Sequence, residues 1–247
     1  MQPQRFCRYE LRTTDLNAAR AFYADVLGAQ FWGPGVSLAP LPERAAAMGA
    51  PAHWLGHIGT GDVEAAAGKI VEAGGQRLGP SSKGADGSSV AVLRDPFGAV
   101  MAVGSDTPSP PPSAVAWHLL HVKDHERAFA TYAGLFGWTA TALMDLDLAI
   151  GRQQLFAWDD SGESVGSVTD MARLPHVHAQ WMFCFRVANL EDARVKVLAR
   201  GGTMAESTLT PNGDLVAACE DAQRAAFALH QSGAREPGAT TRSIVID

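Results

Sequence analysis

The stretch DLNAARAFYADVLGAQ, Asp15 to Gln30, is a helix with both ends marked. The Asp15 carboxylate suits the free N–H groups of a first turn, and apolar residues follow at helical spacing. Gly28 allows a left-handed exit. The same pattern returns three times: DVEAAAGKIVEAGGQR from Asp62, DHERAFATYAGLFGWT from Asp124 and NLEDARVKVLARGGTM from Asn189. Placing Asp15 on Asp124 superposes FYADVLG (Phe22–Gly28) on TYAGLFG (Thr131–Gly137), and placing Asp62 on Asn189 superposes VEAGGQ on LARGGT. The chain is therefore a duplication. Placing Asp15 on Asp62 brings Gly28 onto Gly75, so each half is itself a repeat of two.

Every copy is led by a short alternating strand: RFCRYELRT, HWLGHIGT, AVAWHLLHV and QWMFCFRV. Further strand-like stretches follow the helices, among them VSLAPL, SSVAVLRD, MAVG, QLFAW and DLVAACE. The implied unit is β-α-β-β-β, and four of them give an α+β protein with two curved mixed sheets and helices outside. The break SDTPSPPPSA, Ser105 to Ala114, reads as a linker. The expected organisation is a first domain over 1–104, a linker over 105–114, a second domain over 115–232 and a flexible tail over 233–247.

Composition bounds the function. The 247 residues are 47% hydrophobic and 19% charged, with a formal net charge of -6. No basic cluster suits nucleic acid or an acidic membrane surface, so neither is an expected partner. No stretch approaches the roughly 20 apolar residues of a membrane span, and the start MQPQRFCRYE has no apolar signal core. A cytoplasmic location is expected. Cys7, Cys184 and Cys219 are few and far apart, as reduced thiols are.

The plan resembles the glyoxalase/bleomycin resistance/extradiol dioxygenase superfamily, the vicinal oxygen chelate fold. The resemblance rests on TTDLNAARAFYADVLG and HVKDHERAFATYAGLFGW, which look like its D-x-x-x-A-x-x-F-Y-x-x-x-x-G helix. RDPFGAVMAV, Arg94 to Val103, looks like its DPxG turn, and in the second half that turn has become EDAQRAAFAL, departing at Ala222 and Arg224. The strand openings RYEL and HWLGHI most resemble the two-domain hydroxylase-like members.

The resemblance implies a divalent metal held by His and Glu in a cup, with a ligand seat seven residues before each helix cap. Those seats hold Arg8, Leu55, Trp117 and Met182, and the glutamate seats after the DPxG turn hold Ala102 and Ala228. None is a hard-metal ligand, so no metal cofactor is expected. A displaced metal site from His53, His57 and His121 requires the second and third modules to pair across the linker.

Side-chain alternation puts Arg8, Glu10 and Arg12 on one face. Two guanidiniums favour the ionised carboxylate, which makes Glu10 a poor general base and the trio better suited to an anion. Trp117, Met182 and Cys184 suggest an apolar floor for a small organic ligand. His176 and His178 read as a solvated pair, and His118 and His125 as a helix-packing residue and a helix start. The expected function is small-molecule binding without the usual metal, by a monomer or homodimer. The alternatives are a metal-dependent lyase, isomerase or dioxygenase with displaced His ligands, and a scaffold or regulatory protein with closed cups.

Overall fold

The computed structural model describes residues 4–83, 87–105, 112–146, 151–210 and 213–233. The four repeats become four helices capped as their sequences require. Asp15 caps α1 (Leu16–Leu27), Asp62 caps α3 (Val63–Glu72), Asp124 caps α4 (His125–Phe136) and Asn189 caps α5 (Leu190–Ala199), each side chain accepting from a first-turn N–H. Such a bond contributes about 1 kcal/mol per helix. A short α2 (Glu43–Ala47) precedes the second repeat.

Two sheets follow. The first contains β1 (Phe6–Thr13), β2 (Val36–Pro40), β3 (His53–Gly59), β4 (Gln76–Arg77), β5 (Ser82–Lys83), β6 (Ser89–Arg94) and β7 (Val100–Gly104), in the order β2-β1-β3-β7-β6-β4 with β5 beside β6. The second contains β8 (Val115–His121), β9 (Thr139–Asp145), β10 (Arg152–Ala157), β11 (Gly166–Thr169), β12 (Gln180–Arg186), β13 (Thr203–Met204), β14 (Thr208–Leu209), β15 (Leu215–Glu220) and β16 (Ala226–Gln231). Its order is β13-β15-β16-β12-β8-β11-β10-β9, with β14 beside β15.

Modules pair within each half: β1 lies antiparallel to β3, and β8 to β12. The pairing across the linker that a His53, His57 and His121 site requires does not occur. The first module is also shorter than its relatives. Where β9, β10 and β11 follow α4, only β2 follows α1, and β2 runs parallel to β1 as β11 does to β8. The first sheet consequently ends at β2, without the counterparts of β9 and β10.

The sheets pack through the faces that also carry the helices, with α1 against α5 and α3 against α4. At the centre Gly56 approaches so closely that a Cβ there would lie 2.6 Å from the Phe6 ring and would also meet Phe183. Tyr9 donates to His118 Nε2 at 2.6 Å, the His118 ring being oriented by its Nδ1 contact with the Val165 carbonyl. Two matching locks flank this pair. The Tyr132 hydroxyl donates to Asp95 Oδ2 at 2.8 Å and accepts from Trp181 Nε1 at 2.9 Å. The Tyr23 hydroxyl donates to Asp221 Oδ2 at 3.2 Å and accepts from Trp54 Nε1 at 2.9 Å.

Each aspartate opens a turn whose N–H groups it also binds: Phe97 and Ala99 for Asp95, Gln223 and Ala225 for Asp221. The tyrosine of the repeated helix and the aspartate of the DPxG-like turn thus have a shared physical role, joining one half of the chain to the other. At the glycine position of that turn Gly98 has φ 106°, and its counterpart Arg224 is held at φ 69°, which is strained for a side-chain-bearing residue.

Candidate functional site: two cups of unlike chemistry

The opposite face of each sheet is the inside of a cup. Strand alternation and register define its lining. In the first sheet Arg8 stands beside His57 and His57 beside Ala102, giving a central row Arg8–His57–Ala102. The next row along the strands is Ser37–Glu10–Leu55, and Arg12 lies beside His53. In the second sheet the corresponding row is Trp117–Cys184–Ala228, and the next is Ser167–Leu119–Met182.

Counting seven residues back from the helix caps found Arg8 and Trp117 but missed their neighbours. It pointed to Leu55 and Met182, whereas the sheets place His57 and Cys184 in those rows. Register is set by the partner strand rather than by distance from a cap, and bulges at Phe6/Arg8 and Cys184/Phe185 alter it.

The first cup is polar. Arg12 Nε donates to Glu10 Oε1 at 2.8 Å, a pair in which both side chains are mostly buried. The expected arrangement of two arginines around Glu10 is corrected here, because the Arg8 guanidinium turns to His57 and its Nη2 lies 2.8 Å from His57 Nδ1. Burial pushes the His57 pKa well below the usual imidazole range, and the charges of Arg8 and Arg12 push it further the same way. His53 is also lowered, chiefly by burial, and its Nδ1 bonds the Pro51 carbonyl. His57 Nε2 and Ser37 Oγ are buried without a hydrogen-bond partner.

The second cup is largely neutral. Met182, Cys184 and Ala228 are buried together against Trp117, Leu119 and Val216. Trp117 Nε1 and Gln153 Nε2 both donate to Ser167 Oγ, at 3.1 and 2.7 Å. His121 Nδ1 lies 2.9 Å from Thr169 Oγ1, and burial lowers its pKa to about 4, so the ring is neutral at pH 7. Burial raises Cys184 to about 12, which leaves a thiol rather than a nucleophilic thiolate. His230 Nε2 meets Asp214 Oδ2 at 3.1 Å on the same face.

His53, His57 and His121 do not meet. The first two line the first cup and the third lines the second, on faces that point away from each other. Among the described residues no group of three or more His, Cys, Asp or Glu side chains is placed to hold a metal ion. The first central row fits a cation poorly in any case. Arginine has no acceptor, so Arg8 donates to His57 Nδ1 and leaves the neutral ring's proton on Nε2. A metal-ligating imidazole needs the reverse, a lone pair facing the ion and an outward N–H.

His176 and His178 are exposed outside the strands. His125 Nδ1 donates to Asp170 Oδ2 at 3.0 Å while its backbone N–H donates to Oδ1 at 2.9 Å, tying the turn Asp170–Arg173 to the start of α4. The linker at 106–111, part of the loop SSKGADGSS at 84–86 and the tail from 234 lie outside the described residues. No helix among the described residues is long and apolar enough to cross a membrane.

Comparisons with known proteins agree with this architecture. No family model matches the chain. It is 26% identical over 249 aligned positions, 89% of this chain and 92% of the relative, to "Putative glyoxylase CFP32" of Mycobacterium bovis, and equally so to the Mycobacterium tuberculosis protein of that name. Among solved structures it is similar to the 2,3-dioxygenase LapB from Pseudomonas sp. KL28, with a TM-score of 0.61, 11% identity and 97% of each chain covered. It is also similar to an Mn(II)-bound glyoxalase from Novosphingobium aromaticivorans, with a TM-score of 0.57 and 13% identity, covering 93% of this chain and 82% of that one.

Proposed function

We propose, for a chain that belongs by fold and relatives to the glyoxalase/bleomycin resistance/extradiol dioxygenase superfamily, that it binds a small organic ligand in a cup without the superfamily's usual metal. One observation carries this reading. The central row of each cup, Arg8–His57–Ala102 and Trp117–Cys184–Ala228, offers hydrogen-bond donors and apolar surface where a hard cation needs oxygen and imidazole lone pairs. Fold alone does not assign an activity, so the site chemistry decides.

Native mass spectrometry of untagged protein grown in metal-replete medium tests the reading against the denatured mass. The expected spectrum has no stoichiometric metal and retains, or takes up from a metabolite extract, a small organic mass. A stoichiometric metal adduct overturns it in favour of a metal-dependent lyase, isomerase or dioxygenase, the chemistry that the names of the relatives suggest. A second reading, closed cups in a scaffold or regulatory protein, is supported by the complete burial of Leu55 and Ala102 on the first cup's floor. Failure to take up any organic mass from the extract favours that reading.

A further inference from the structure

On the floor of the first cup one polar atom is left over. The Arg8 guanidinium is a donor only, so its Nη2, 2.8 Å from His57 Nδ1, fixes that nitrogen as an acceptor. Burial first, and nearby positive charge second, keep the ring neutral at pH 7, and its one proton is then on Nε2. His57 is only 1% exposed, it stands in the cup-facing row between Arg8 and Ala102, and its Nε2 has no hydrogen-bond partner. An unmet buried donor is rare in a folded chain, and an incoming acceptor recovers what its burial costs.

The neighbours decide what kind of acceptor. Neither guanidinium of this face is open to an anion: Arg12 is bound to Glu10, and Arg8 is engaged with His57 and beyond it. A carboxylate or phosphate entering here would give up its hydration for a single neutral N–H, with the Glu10 carboxylate one row away, and the charge would be costly to bury. A cation would meet an N–H in place of a lone pair. The floor beside the ring, Leu55 and Ala102, is apolar and fully buried. A neutral carbonyl oxygen suits this setting, and an amide oxygen is the strongest acceptor among neutral carbonyls. Ser37 Oγ, also buried without a partner on this face, can donate or accept. It lies two strands from His57, about 10 Å across the sheet.

We propose that the first cup binds a small neutral amide. Its carbonyl oxygen accepts from His57 Nε2–H, its apolar part covers Leu55 and Ala102, and a second polar group reaches across β1 to the Ser37 hydroxyl. Arg8 acts here only through His57, holding the ring in the tautomer that presents the N–H. Because that N–H is closed off from bulk water, the ligand enters as the side chains over the floor part. The proposal rests on the small-molecule-binding reading and narrows it to one cup and one chemical class.

Long-range proton–nitrogen NMR on the full chain, titrated with benzamide, tests it, with sodium benzoate and toluene as controls. The free protein should show the His57 Nε2–H tautomer at pH 7. Benzamide should shift Nε2 saturably, whereas benzoate, which carries a charge, and toluene, which has no acceptor, should not at equal concentration. His57→Met should weaken benzamide binding by about tenfold or more while the folded spectrum persists, and the wild-type titration stands without the variant. A benzamide with a hydroxymethyl group para to the amide should bind more tightly than benzamide itself, and Ser37→Ala should abolish that difference.

An Nδ1–H tautomer, a response to benzoate that matches or exceeds that to benzamide, or no response of His57 to benzamide overturns the proposal; the last outcome means that water or the chain itself meets the N–H. Equal binding of the two amides to the wild type overturns the Ser37 contact. Native mass spectrometry separates these failures from failure of the broader reading. An organic mass retained by protein that ignores benzamide removes the amide but keeps ligand binding, whereas no response and no organic mass remove both.

Discussion

Replacing Tyr132 by Phe removes one oxygen atom and cuts two bonds, one to Asp95 that joins the halves of the chain and one to Trp181 within the second half. The hydroxyl donates to the buried carboxylate of Asp95 at 2.8 Å and accepts from Trp181 Nε1 at 2.9 Å. A bond to a charged group contributes about 1.5–3 kcal/mol, and a buried indole N–H left unmet costs about 1 kcal/mol more. The expected loss is about 3 kcal/mol, read as a shift in urea midpoint at pH 7.5. Tyr23→Phe should cost less, because the Tyr23–Asp221 contact is longer at 3.2 Å.

A pH signature accompanies the loss. Burial raises the Asp95 pKa, and the Tyr132 bond opposes that rise. Without the hydroxyl the folded-state pKa climbs further, so the folded variant takes up a proton more readily than the folded wild type. The deficit of Tyr132→Phe should therefore shrink as pH falls through the variant's Asp95 pKa. A loss below about 1 kcal/mol, or a deficit that grows on acidification, refutes the assignment of these bonds as locks.

Three further outcomes follow from named contacts. Arg224→Gly should stabilise the protein by about 0.5–1 kcal/mol in urea denaturation, since relief of the φ 69° strain exceeds the extra unfolded-state entropy of glycine. Gly56→Ala should destabilise by about 2 kcal/mol or more, because the new methyl would overlap the Phe6 and Phe183 rings at the sheet contact. His121, with its pKa lowered to about 4 against 6.5 unfolded, contributes stability that is present above pH 6.5 and lost as pH falls towards 4. His121→Gln should therefore lose about 2.5 kcal/mol less than wild type between pH 7 and 4.5, unless the imidazole titrates normally, in which case the two curves run parallel.

The architecture was legible because its signals are local and repeated. Asp15, Asp62, Asp124 and Asn189 each announce a helix by the same short-range capping chemistry, and each caps one. The shortened first module also left a trace. The caps Asp15 and Asp62 are separated by 47 positions and Asp124 and Asn189 by 65, and the difference is about the length of two strands and their turn. The candidate site was less legible. Arg8 and His57 are 49 residues apart and meet through a bulged antiparallel register, which no spacing along one strand reveals. The tyrosine and aspartate of the recurring motifs invited a reading as family marks, while their partnership across the two halves required the packed structure.

Tyr9 and His118 occupy equivalent positions of the duplicated halves and touch each other, so they lie where an approximate twofold axis passes through the molecule. A dimer of identical subunits must present the same residue twice at such a point. A single polypeptide carrying both halves is freed from that constraint and can set a phenol donor against an imidazole acceptor. The same freedom extends outward to the cups, one charged and one neutral, which symmetric subunits would be obliged to make alike.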